Sequence, residues 1–92
     1  MTGAVRTRLD PHVVLIPADD GLYVYHEILS SLHRLSPAGR AFLKSLGDPD
    51  APAAFGRRLG LPPAEAPAQH ERISRQLRSL GICREESADR PW

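Results

Sequence analysis

The sequence predicts a small α+β domain, with a three-stranded antiparallel sheet followed by three helices in a winged-helix-like order. Three observations lead there. Two short β-rich runs, His12–Ile16 and Leu22–His26, flank the turn signal Asp19-Asp20-Gly21. Downstream, Ser36-Pro37 and Asp50-Ala51-Pro52 have the residue types of helix starts and precede apolar positions at helical spacing. The chain has 92 residues, 41% of them apolar, enough for one modest core.

Taken in order, residues 1–7 predict a loose arm, 8–84 the folded domain and 85–92 a flexible tail. The first strand lies within Arg8–Ile16, where His12-Val13-Val14-Leu15-Ile16 is rich in β-branched residues and Pro17 closes the run. In the second strand, Leu22–His26, alternate residues share a face, so Leu22 and Val24 oppose Tyr23 and Tyr25. After a turn over Glu27–Ser30, Ser31–Leu35 is a third strand. Its serines, His33 and Arg34 carry little bulk, which suits a sheet edge.

Ser36 caps the first helix, Pro37 occupies its first turn, and Ala38, Phe42, Leu43 and Leu46 form its buried stripe before Gly47. Asp48 or Asp50 caps a second helix over Ala51–Leu59, which buries Phe55 and Leu59 and stops at Gly60. Leu61–Pro67 holds three prolines and reads as a linker. The third helix spans about Ala68 to Leu80, with Ile73, Leu77 and Leu80 as its stripe and Gly81 as its stop; Ile82 packs back beneath it.

Several functions are disfavoured. The formal net charge of +1 gives no general attraction to nucleic acid or anionic lipid. No apolar run approaches the roughly 20 residues of a membrane span, and no apolar secretory segment opens the chain, so a cytoplasmic protein is expected. Cys83 is the sole cysteine, excludes an internal disulfide and has no sequence-evident activating base. Histidines 12, 26, 33 and 70 lack metal-ligand spacing; His26 and His33 read as a cross-strand polar pair. Asp19 and Asp20 fit a turn better than a carboxylate dyad. Nucleophile-elbow and phosphate-loop motifs are missing. No enzyme activity and no cofactor are expected.

Two binding functions remain. From Arg57 to Arg84 six arginines face two glutamates, and Arg72, Arg75 and Arg78 recur every third residue of the last helix, as in a DNA-binding regulator contacting phosphates. The favoured alternative is peptide binding. The edge strand Ser31-Leu32-His33-Arg34-Leu35 would take an extended peptide beside the last helix. Leu32, Ile73 and Leu77 would line pockets, and Arg34, Arg75 and Arg78 would meet acidic side chains. The same edge could pair with a second copy.

The segments HRLSPAGRAFLKSLGD, DAPAAFGRRL and ISRQLRSLGI, with the strand plan before them, resemble the PqqD-like recognition domains of ribosomally made, post-translationally modified peptides, over roughly residues 8–84. Within that family, RLDPHVVLIPADDGLYVYH is most similar to the small peptide chaperone of the mycofactocin system, in Arg8-Leu9, Pro11, Val13, Leu15, Pro17, Gly21 and Tyr25-His26, followed by Leu32 and Leu35. Ser36 stands where much of the family has Asn, and the proline-rich 61–67 stretch is unusual for it. The resemblance implies a winged-helix-like, non-catalytic adaptor. It would bind a precursor peptide as a fourth strand and present it to a radical S-adenosylmethionine enzyme. The iron–sulfur clusters would be that partner's, since one cysteine cannot hold one.

Overall fold

A computed structural model describes residues 5–87. The elements are β1 (Val5–Leu9), β2 (Val13–Ala18), β3 (Gly21–His26), β4 (Ser31–Arg34), α1 (Pro37–Lys44), α2 (Ala51–Leu59), α3 (Ala66–Ser79) and β5 (Cys83–Ser87). The fold is a small α+β domain with three helices and antiparallel sheets. One sheet has the order β2-β3-β4 and the other pairs β1 with β5.

The β2–β3 hairpin turns at Asp19-Asp20, with Ala18 opposite Gly21, whose φ of +143° a side-chain residue rarely adopts. Tyr23 Oη donates to Asp20 Oδ2 at 2.8 Å and fastens the turn to the strand. Register alternation gives the sheet two faces. Val24 and His26 are buried on the inner face, while Val14, Tyr25 and Leu32 form one cross-strand row on the outer face.

Leu22, Val24 and Leu35 lie over a core built around Phe42, Phe55, Ile73, Leu77 and Ile82. The Phe42 and Phe55 rings meet edge to face at 6.4 Å, and the His70 ring packs 4.7 Å from Phe42 and 5.4 Å from Phe55. α2 and α3 approach closely because Gly56 has no side chain: a Cβ there would lie 2.6 Å from that of Ala66.

Local capping explains the helix starts. Ser36 Oγ accepts from Gly39 N at 3.1 Å and Asp50 Oδ1 from Ala53 N at 3.4 Å. α2 ends at Gly60 in the left-handed conformation, φ +70°. The other boundaries differ from expectation. α1 stops at Lys44 rather than Gly47, as its backbone tightens: Ser45 N donates to both the Ala41 and Phe42 carbonyls and Leu46 N to that of Leu43, while the buried Ser45 Oγ donates to the Ala41 carbonyl at 2.8 Å. α3 begins at Ala66, two residues early, since Pro67 is tolerated in a first turn whose N–H groups have no helical partner.

The N-terminal half of the sheet also needs correction. The expected first strand is interrupted at Asp10-Pro11-His12, where Asp10 Oδ1 accepts from His12 N at 2.8 Å and the Asp10 carbonyl accepts from Val13 N at 3.1 Å. Residues 5–7 and 85–87 are strand rather than arm and tail: β1 and β5 pair in register from Val5 opposite Ser87 to Leu9 opposite Cys83. Residues 1–4 and 88–92, Trp92 among them, lie outside the described residues.

Candidate functional site

The three-stranded sheet has two edges, and backbone chemistry separates them. Glu27 N donates to the His12 carbonyl and Leu35 N to the Leu22 carbonyl. Bonded pairs alternate along an antiparallel ladder. Val14, Ile16 and Ala18 therefore spend their backbone groups on β3, and Val13, Leu15 and Pro17 turn theirs to the β2 edge. Pro17 has no N–H, and that of Val13 is taken by Asp10. β2 thus offers an incoming strand a single donor, Leu15 N–H.

On β4 the same alternation commits Ser31, His33 and Leu35 to β3 and turns the N–H and C=O of Leu32 and Arg34 outward. None of these four groups has a hydrogen-bond partner among the described residues. Two donors and two acceptors within three residues are what a strand-forming peptide requires.

A groove of about 250 Å³ runs beside this edge. His33 and Leu35 of the β4 segment form one wall, and Gln76 of α3 with Leu80 at its C-terminal cap the other. Ile73, Leu77 and Ile82 supply its apolar floor while belonging to the core, at 9%, 4% and 0% exposure. The exposed large hydrophobic residues (Val14, Leu15, Ile16, Ile28, Leu29 and Leu32) all lie on this sheet or its β3–β4 turn. That turn is held by a buried side chain: His26 Nδ1 accepts from Ile28 N and Leu29 N, both at 3.2 Å, and Nε2 lies 3.6 Å from Asp10 Oδ1. His26 faces Ser31 across the ladder and His33 faces Val24, so the two histidines do not form the expected direct pair.

The predicted site residues divide accordingly. Ser31, Leu32, His33, Arg34 and Leu35 lie together along the edge, and His33, Arg34, Leu35, Ile73 and Leu77 line the groove. Leu32 does not line it. Its side chain, 58% exposed, stands on the outer face beside Tyr25, because residues 32 and 33 point to opposite sides of a strand. Arg34 folds over the hairpin turn and donates through Nε (3.1 Å) and Nη2 (2.7 Å) to the Asp20 carbonyl.

Arg75 and Arg78 are displaced from the expected role. Arg75 pairs with Glu71 at 3.5 Å, and Arg78 pairs with Glu85 at 2.9 Å and Glu71 at 3.6 Å, tying α3 to β5. Neither borders the groove. Arg75 and Glu71 are both solvent-exposed, at 72% and 58%, whereas Arg78 is the more enclosed partner at 27%. Gln76 and Gly39 border the groove without having been expected there. Gln76 sits one turn from Ile73 and Leu80 on the same helical stripe, a spacing visible in the sequence.

Burial pushes the Cys83 thiol up to about 11, only partly offset by Arg78, so it carries no thiolate at neutral pH. Burial holds His70 below its ordinary 6.5 against a weaker opposing effect of Glu71, and its Nε2 is buried without a partner between two phenylalanine rings. No group of three metal-ligating side chains occurs among the described residues, and no described helix is long and apolar enough to cross a membrane. No protein-family model, curated protein or solved structure matches the chain.

Proposed function

We propose that this protein is a non-catalytic, cytoplasmic peptide chaperone that takes an extended peptide as a fourth strand on β4. The observation carrying this reading is the set of outward N–H and C=O groups of Leu32 and Arg34 beside a groove floored by Ile73 and Leu77. The peptide's backbone meets Leu32 and Arg34. A side chain on its inner face enters the groove between His33 and α3, and one on its outer face extends the row of Val14, Tyr25 and Leu32. We read the helices behind this sheet as winged-helix-like.

The class of peptide and the next step come from the resemblance to PqqD-like domains over residues 8–84. They are a ribosomally made precursor and its delivery to a radical S-adenosylmethionine enzyme, as in mycofactocin maturation. The chain brings no cofactor to that encounter.

The test is selection of a displayed random-peptide library on the immobilised full chain, followed by deuterium exchange with an enriched peptide. Slowed exchange confined to Leu32, Arg34 and the facing stretch of α3 is the expected result. Enrichment of no peptide, protection only elsewhere, or tighter binding of generic DNA duplex than of any peptide overturns the proposal. Protection of Leu32 and Arg34 that appears with rising protein concentration alone identifies a second copy as the strand donor.

A further inference from the structure

A second concavity, of about 470 Å³, lies between α1 and α2 on a different face of α1 from the β4 groove. Pro37, Arg40, Ala41 and Lys44 line it as one helical stripe at i, i+3, i+4 and i+7, and Arg58 and Leu59 complete it from the end of α2. The lining is half cationic and half apolar, with no acidic residue. Arg40, Lys44 and Arg58 make no ion pair among the described residues. Asp48 lines the neighbouring hollow with Arg57 and Arg58 without pairing with either. Lys44 and Arg58 sit in the last turns of α1 and α2, where each helix end supplies roughly half a negative charge. The Arg40 guanidinium reaches away from them to the hairpin turn, where its Nη1 lies 3.9 Å from the position a Gly21 Cβ would take, so Lys44 and Arg58 are the two cations left to the concavity.

We propose that this concavity docks an acidic, amphipathic segment of a partner protein, independently of the β4 edge. Apolar side chains of that segment rest on Pro37 and Leu59 while its carboxylates reach Lys44 and Arg58. The depression is open to solvent and spans the ends of two helices, wider than a single inorganic anion needs. A nucleic-acid backbone would use the cations but leave the apolar floor uncovered, and it is normally met by a longer basic track. A bilayer needs a broad amphipathic face, and the six lining residues of two helix ends are too few to make one. Carboxylates alternating with apolar side chains satisfy both halves of the lining and steer the encounter at low salt.

The probe is a synthetic Leu-Glu-Glu-Leu repeat peptide titrated into the ¹⁵N-labelled full chain, with its Leu-Gln-Gln-Leu counterpart and a short DNA duplex alongside. Amide shifts are expected over residues 38–44 and 58–59, with Leu32 and Arg34 unmoved. The double variant Lys44→Glu with Arg58→Glu, both at exposed positions, should weaken binding at least about tenfold, while Arg72→Glu on α3 leaves it unchanged. Arg58→Glu alone gives a several-fold loss and serves if the double variant unfolds. Absence of shifts at these residues, equal affinity for the glutamine peptide, or tighter binding of duplex at the same residues overturns the proposal. Shifts confined to β4 also overturn it and leave the peptide-chaperone reading standing.

Discussion

Replacing Leu32 with proline separates the outward edge of β4 from the ladder that holds it in the sheet. The Leu32 N–H points away from β3, so proline there breaks no native hydrogen bond, and proline is tolerated at such edge positions. The Leu32 side chain is 58% exposed, so little packing is lost. The folding free energy is expected to change by less than about 1 kcal/mol.

Binding should suffer much more. Proline removes one of the edge's two donors and places ring carbon where the bound peptide's carbonyl would sit. Leaving such a carbonyl desolvated and unpaired costs about 1–3 kcal/mol, or roughly five- to 150-fold in affinity. The adjacent substitution His33→Pro inverts the pattern. By the alternation of the ladder, His33 N–H pairs with Val24, a residue with 0% exposure. Losing that bond inside the sheet costs about 1–3 kcal/mol, with ring strain added.

Fluorescence anisotropy with a labelled, library-selected peptide and urea unfolding by circular dichroism read the two quantities separately. Unchanged peptide affinity in a folded L32P protein refutes strand addition at β4. Equal destabilisation by both substitutions refutes the ladder phase from which the edge was assigned.

Three further outcomes follow from packing and ionisation. Gly56→Ala should destabilise the fold by about 1–3 kcal/mol in urea, because the new methyl meets the Ala66 Cβ at 2.6 Å; a neutral result would mean α2 and α3 are not in contact there. His70 has a folded pKa below its ordinary 6.5, so the unfolded chain binds the proton first. Its contribution is complete above about pH 6.5 and is lost as pH falls through the folded value; His70→Phe should remove that part of the pH dependence, and an unchanged pH profile would contradict the assignment. Cys83, buried with its thiol pushed up to about 11, should resist iodoacetamide at pH 8 in the native state and react once unfolded; native labelling at the unfolded rate would show the strand β5 to be open.

What was legible in the sequence follows the range of the interactions involved. Ser36-Pro37, Asp50 and Gly60 act within a few residues, and the observed caps use those side chains and that backbone conformation. Asp19-Asp20-Gly21 likewise turns the chain where a hairpin signal should. The β1–β5 pair was hidden because its partners lie more than 70 positions apart, from Leu9–Cys83 to Val5–Ser87. Neither VRTRL nor CREES carries an apolar run to announce a strand.

Leu32 illustrates a different limit. Its alternation with His33 was readable, but which side of the sheet meets the helices was not, because Tyr23 and Tyr25 compete with Leu22 and Val24 for the inner face. The register settles it by burying Val24. The Glu71–Arg75 spacing of i,i+4 within the last helix was legible, whereas the pairing of Arg78 with Glu85 depends on how β5 returns past α3.

The blunted rim at Pro17 and Val13 bears on self-association. A molecule with two sticky rims can recruit copies head to tail without end, and that growth makes filaments. Here one rim of the three-stranded sheet is nearly silent, so joining through β4 uses up that sheet's adhesive side, and growth along it halts at a closed pair or a single guest. Converting Pro17 to valine restores a donor at the second rim and, with it, the route to open-ended polymer.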